Sequence, residues 1–184
     1  EKIFSQGGLQ NTENPLDLAI EGRGFFTVVM PDGTMAYTRD GMFKTDQNGQ
    51  LVTSNGYQLQ PAITIPPQTA QLTIGKDGTV SALIAGTTAP SVVGNIQLTD
   101  FINPSGLQPM GQNLYQETAS SGNPIVDSPG LSGLGTVMQN SLESSNVNVV
   151  EELVNMIQAQ RSYEITAKSI QTVDSMLQYI AQTL

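Results

Sequence analysis

The chain contains no cysteine, no histidine and no tryptophan. Without cysteine there is no disulfide framework, no thiolate metal site and no thiol nucleophile. Without histidine the commonest general base near neutral pH is missing. Any catalysis would fall to carboxylates, Lys, Tyr or Ser. Basic residues number seven, scattered, against sixteen acidic ones, for a net charge of −9. Nucleic-acid binding needs a basic face to neutralise phosphates, so that class is set aside. Charged residues are only 12% and hydrophobic residues 38%, a balance that fits neither a disordered polyampholyte nor a membrane protein. Apolar runs are a few residues long, far short of the ~20 that span a bilayer. The first residues show no basic-then-apolar signal pattern.

What the sequence does have is glycine and proline, 18 and 10 residues respectively, all of them before residue 146. Its 184 residues suffice for one compact domain plus an appendage. From 22 to 59 short β-rich runs alternate with turn pairs: Pro31-Asp32-Gly33, Asp40-Gly41, Asn48-Gly49 and Asn55-Gly56. Asn-Gly and Asp-Gly supply the positive φ that tight hairpins need. The pattern predicts an antiparallel meander with strands over 25–30, 34–39, 42–45, 50–53 and 57–60. Leu16, Leu18 and Ile20 alternate ahead of it as a further strand, with Pro15 opening a turn. Three prolines make 61–69 an extended connector. Lys76-Asp77-Gly78 turns a hairpin between 71–74 and 79–84, and 92–98 reads as one more strand. The Gly- and Pro-rich stretch 101–134 reads as loop. A last extended segment over 137–145 is expected to pair with 3–9.

From residue 146 the character changes. The run to Leu184 holds no Gly or Pro. Asn148, or Asn146, is placed to cap a helix, with Glu151 and Glu152 in its first turn. Alternating steps of four and three pick out Val149, Leu153, Met156, Gln160, Tyr163, Ala167, Ile170, Asp174, Leu177, Ala181 and Leu184. Nine of these eleven are apolar, which is a heptad seam. Val150, Val154, Ile157, Val173, Met176 and Ile180 flank it. At ~1.5 Å per residue such a helix is roughly 55 Å long, longer than a small domain is wide. No other segment predicts a comparable helix, so the expected partner is another molecule or sequence beyond this chain. The fold class is therefore mainly β, an irregular antiparallel domain of short hairpins over 1–145, plus one long C-terminal helix over 146–184. Gln160 and Asp174 interrupt the seam where a polar residue commonly fixes register.

The chemistry-bearing candidates are thin. Asp46-Gln47-Asn48-Gly49 lacks the oxygen-ligand run and closing Glu of a calcium loop, so Asp32, Asp40, Asp46 and Asp77 read as turn residues. Tyr37-Thr38-Arg39-Asp40-Gly41 has no nucleophile–base pair; Arg39 with Asp40 is expected to order the sheet by a salt bridge and backbone hydrogen bonds. Gly22-Arg23-Gly24 lacks the Lys and Ser or Thr of a phosphate loop. Ser144-Ser145-Asn146 reads as helix entry. No catalytic residue, metal or cofactor is expected. A cell-wall-binding β-module with a helical oligomerisation tail is the competing class, and 5% aromatics without Trp serve sugar stacking poorly.

Several stretches resemble the rod and hook family of bacterial flagella. They are 14–20 (Asn-Pro-Leu-Asp-Leu-Ala-Ile), Gly22-Arg23-Gly24-Phe25-Phe26, Pro31-Asp32-Gly33, Tyr37 to Gly41, Gly49 to Thr53, Gly56-Tyr57, Leu142 to Ile157 and Gln160 to Glu164. The resemblance implies a structural subunit that polymerises into a hollow rod, most like its distal section, with a proximal-rod or hook-type subunit of the same family as the alternative. A hook subunit would carry Asp at position 148 and a large extra domain for which this chain has no room. Implied partners are further copies of the chain, other rod subunits, the hook protein and the surrounding L and P ring bushing, with no nucleic acid and no membrane insertion. The implied location is the periplasm-spanning basal body, reached by flagellar type III export. The family's N-terminal helix has no counterpart here, and is the expected partner of the 146–184 seam.

Overall fold

Phe25 and Phe26 organise the β-rich part of the chain. Successive strand residues face opposite ways, so these two rings enter separate cores. Phe26 packs with Leu18, Phe43, Leu59 and Ile63 in the larger core. Phe25 joins Tyr37, Phe101 and Leu107 in an aromatic one. A sheet covered on both faces needs apolar residues on both, and Phe25 through Val28 are buried without alternation.

The computed structural model describes residues 4–183, with side chains in the last helix described through Met176. In chain order the strands are β1 Leu9–Asn11, β2 Leu18–Glu21, β3 Phe25–Val29, β4 Met35–Thr38, β5 Phe43–Thr45, β6 Leu51–Thr53, β7 Gln58–Gln60, β8 Thr69–Ile74, β9 Thr79–Ile84, β10 Ser91–Asn95, β11 Leu98–Asp100, β12 Gln108–Gly111, β13 Leu114–Gln116, β14 Ile125–Asp127, β15 Thr136–Gln139 and β16 Ser141–Glu143. The helix α1 follows, Val149–Thr183. The chain divides into two compact units, Glu1–Ser144 and Ser145–Leu184. The fold is mainly β, in several antiparallel sheets, with one long C-terminal helix.

The main sheet runs β12-β13-β4-β3-β7-β6-β5, with β11 paired to the start of β3 and β14 paired to β11. The hairpins expected at Pro31-Asp32-Gly33, Asn48-Gly49, Asn55-Gly56 and Lys76-Asp77-Gly78 are present, each strand within about a residue or two of its predicted span. Asp40-Gly41 instead separates β4 from β5, which do not pair, so the sheet is not a simple meander: β7 rather than β5 lies beside β3. β8, β9 and β10 form a separate three-stranded sheet. β2 pairs β15, and β1 pairs β16. Pro15 opens a turn, as Asp17 N donates to Asn14 O.

Three expectations are revised. The single strand predicted over 92–98 is two, β10 and β11, which end in different sheets. The chain must leave the sheet of β9 to reach Phe25 and Phe26, and it turns at buried Ile96. The stretch 101–134 carries three strands and a 3-10 turn, Pro104–Gly106. Its hairpin between β12 and β13 turns on Gln112 and Asn113 at φ 53° and 61°, directly after Gly111 at φ 90°. The last extended segment is broken by Asn140 at φ 60°, so its halves serve different partners. The β16 half pairs 9–11 rather than 3–9, with Leu9 opposite Glu143; Ile3 lies outside the described residues.

Candidate assembly site

The helical unit begins as its sequence predicts. Asn148 Oδ1 accepts the backbone N–H of Val150 at 3.1 Å, and Asn148 O accepts that of Glu152. This satisfies donors the first turn leaves unpaired, and Glu151 and Glu152 stand where the helix dipole favours negative charge. Ser145 Oγ accepts from Val147 N in the entry segment. Along the helix Thr166, Ser169, Thr172 and Ser175 donate to carbonyls four residues back. Their hydroxyls are spent on the backbone.

Val149, Leu153, Met156, Tyr163 and Ile170 of the seam are exposed, as are Val150, Val154, Ile157, Val173 and Met176 of its flanks, from 46% for Val154 to 79% for Tyr163. Ala167 is partly exposed. Leu177, Ile180 and Ala181 fall on helical backbone whose side chains lie outside the described residues, and so does Leu184. At ~100° per residue the seam positions share one side of the helix. The flanks depart from it in opposite directions: Val150, Val154 and Ile157 to one edge, Val173 and Met176 to the other. Among the described residues no helix is long and apolar enough to cross a membrane.

The polar candidates of the β-unit are committed to holding turns and strands. Asp32 accepts from Thr34 N and Oγ1, and Asp77 from Thr79 N and Oγ1. The threonine hydroxyls, then the backbone amides, hold both carboxyls below the ordinary range. Asp46 accepts from Asn48 N and Gln50 N, both at 2.8 Å. Tyr37 donates to Glu117 Oε2 at 3.2 Å, and Thr38 donates to Asn113 O. Burial of the Tyr37 ring, and then the Glu117 charge, push its hydroxyl up to about 12. A phenol so held is a poor base.

Arg39 does order the sheet, but its ionic partner is not Asp40. Its Nε donates to Glu143 Oε2 at 2.8 Å, and its two terminal nitrogens donate to the carbonyls of Gly24, Gly22 and Ile20. Asp40 accepts instead from Met42 N and Asn113 Nδ2. Both residues lie just past the end of β4, where Arg39 reaches the corner between β2 and β3 and Asp40 reaches the turn before β13. Arg23, itself exposed, pairs with the largely covered Asp100 at 2.9 Å, and solvent around the guanidinium screens the contact. Glu117, Asn113 and Glu143 escaped the sequence reading because each lies 75 to 104 residues from its partner, and no local pattern marks such pairs.

A β-unit whose singled-out polar groups hold its own turns and strands, followed by a long helix with exposed apolar side chains, has the make-up of a structural subunit. The family model for the flagellar hook protein FlgE/F/G D1 domain matches residues 19–82, and the one for the flagellar basal body rod FlgEFG protein C-terminal matches 138–183. The flagellar basal-body rod protein FlgG of Buchnera aphidicola subsp. Schizaphis graminum is 57% identical over 99% of this chain and 70% of that protein. FlgG of Buchnera aphidicola subsp. Acyrthosiphon pisum is 53% identical over the same shares, and FlgG of Borreliella burgdorferi is 50% identical over 96% of this chain and 68% of that protein. The chain belongs to the FlgG family of flagellar basal-body rod proteins. It is a structural protein of the bacterial flagellar basal body, where it assembles into the rod.

Proposed function

We propose that the chain polymerises through its C-terminal helix into the distal section of the rod, and that this polymer passes torque from motor to hook. The observation that carries the reading is the 35-residue helix with its apolar seam exposed. Val149, Leu153, Met156, Tyr163, Ala167 and Ile170, continued by Leu177, Ala181 and Leu184, form the packing seam against a second helix. The flanks then meet other helices of the tube. Burying one Leu-sized side chain contributes ~1.5–3 kcal/mol, so several shared positions dominate assembly. Contacts between unlike surfaces that fail to close into a ring extend into a helical polymer. The helices form the inner tube and the β-units, over 1–145, the outer wall.

On this reading the subunit performs no catalysis. Its partners are copies of itself, other rod subunits, the hook protein and the L and P ring bushing. It reaches the periplasm-spanning rod by the flagellar type III route. Electron microscopy of polymer made from the complete protein tests the reading. Wild-type protein is expected to form straight tubes above a critical concentration, and Leu153→Asp or Ile157→Asp to abolish them while the β-unit stays folded. Tubes that persist in both variants would reject the seam.

A further inference from the structure

Glu143 stands at a fork. β1 and β16 form a two-stranded sheet of three registered pairs, and a ribbon that short is marginal by itself. The strands are antiparallel, and the last pair is Leu9 with Glu143. Both arms of the chain therefore leave the ribbon at the same end, the second by way of Ser144 towards the helical unit that starts at Ser145. Antiparallel ladder bonds lie across the strands. Tension on the chain beyond Ser144 would thus open them one after another from this end, rather than shear all of them together. Peeling in sequence takes far less force than shear, because each bond carries the whole tension in its turn.

The structure places a clamp where peeling would begin. Glu143 Oε1 accepts the N–H of Gly7, on the other arm of the fork, at 2.8 Å. Its Oε2 accepts from Arg39 Nε at 2.8 Å. Arg39 is anchored in turn by the carbonyls of Gly22 and Gly24, at 3.0 and 3.1 Å, in the corner between β2 and β3. One carboxylate thus ties both arms to each other and to the main sheet. The two side chains are 19% and 11% exposed, and charge-assisted bonds so shielded from water are the strong kind. Ser144 N also donates to Gly8 O at 2.8 Å, immediately beyond the clamp.

We propose that the Arg39–Glu143 pair is a mechanical clamp, which stops the β1–β16 ribbon from peeling when tension arrives along the chain from the helical unit. Its role in carrying torque rests on the rod reading above; its role in holding the ribbon shut does not. Hydrogen exchange on the complete protein tests the latter. Glu143→Gln keeps the shape and removes the charge, and Arg39→Lys keeps the charge and loses the forked carbonyl anchor. In each, the amides of 9–11 and 141–144 are expected to exchange at least ~10-fold faster, while those of 26–28 and 36–38 keep wild-type rates. Equal acceleration everywhere, or none in the ribbon, would overturn the clamp. Tubes assembled from Glu143→Gln are expected to show at least a twofold shorter persistence length by electron microscopy. Unchanged stiffness beside a loosened ribbon would overturn the torque role. Should wild-type protein form no tubes, the rod reading falls, and the exchange result still decides whether the ribbon is clamped.

Discussion

The hydroxyls of Thr27 and Thr99 meet at 2.7 Å, both buried, 72 residues apart in sequence. They join β3 to β11 beneath the sheet, where β11 reaches Phe25 and Phe26. Each is the other's partner in a region closed to water. Replacing either by valine strands the remaining hydroxyl, at a cost of about 1–3 kcal/mol, whereas replacing both removes the unmet demand and is nearly neutral. Urea denaturation of Thr27→Val, Thr99→Val and the double variant is expected to show that strong non-additivity. Additive losses would show that the two hydroxyls act independently.

Gly41 is required by crowding rather than by its backbone angle. A Cβ built there would stand 1.6 Å from the carbonyl oxygen of Leu18, and Leu18 N donates to Gly41 O at 3.0 Å. Backbone meets backbone, so no side-chain rotation relieves the clash. Gly41→Ala is expected to cost about 4 kcal/mol or more, the range reserved for severe local disruption. Gly33 is the control: its φ is +83° with nothing within 4 Å of a Cβ, so Gly33→Ala carries only the left-handed penalty of about 1–2 kcal/mol. Chemical denaturation that ranks Gly33→Ala as the worse change would refute this account.

Tyr37 makes the fold sensitive to alkali. Its hydroxyl is raised to about 12 by burial and by Glu117, against about 10 in an unfolded chain. Below pH ~10 both states keep the proton, and the contribution to stability is complete. Between ~10 and ~12 the unfolded chain releases it and the folded one does not, so stability falls. Above ~12 the contribution is gone. Denaturation midpoints measured from pH 9 to 12 are expected to drop more steeply in wild type than in Tyr37→Phe. Absorbance titration should lose its highest tyrosinate step in that variant. Parallel pH profiles would show that Tyr37 is not the responsible group.

The parts legible in the sequence were those whose physics is local. Asp32-Gly33, Asn48-Gly49 and Asn55-Gly56 announced hairpins because a turn needs particular φ values within two residues. Asn148 and the Gly- and Pro-free run behind it announced the helix for the same reason. The β12–β13 hairpin stayed hidden because its two left-handed turn residues are Gln112 and Asn113, and Gly111 beside them is one of many glycines and prolines in the stretch 101–134. The hairpin is held by the pairing of β13 to Tyr37 and Thr38 on β4, far away along the chain. The seam on the helix was visible as a period, whereas the opposite lean of its two flanks emerges only when each residue is set on the helix.

The sequence by itself determined a β-rich unit, its main hairpins and a long capped helix with an apolar seam, since turn angles, capping and periodicity act over a few residues. The tertiary structure alone decided which strands share a sheet, why Phe25 and Phe26 enter different cores, and that Arg39 answers to Glu143 rather than to Asp40 beside it. Those outcomes depend on groups some 70 to 100 residues apart being brought within 3 Å. Such distances are fixed by the packing of the whole unit, which no local stretch encodes.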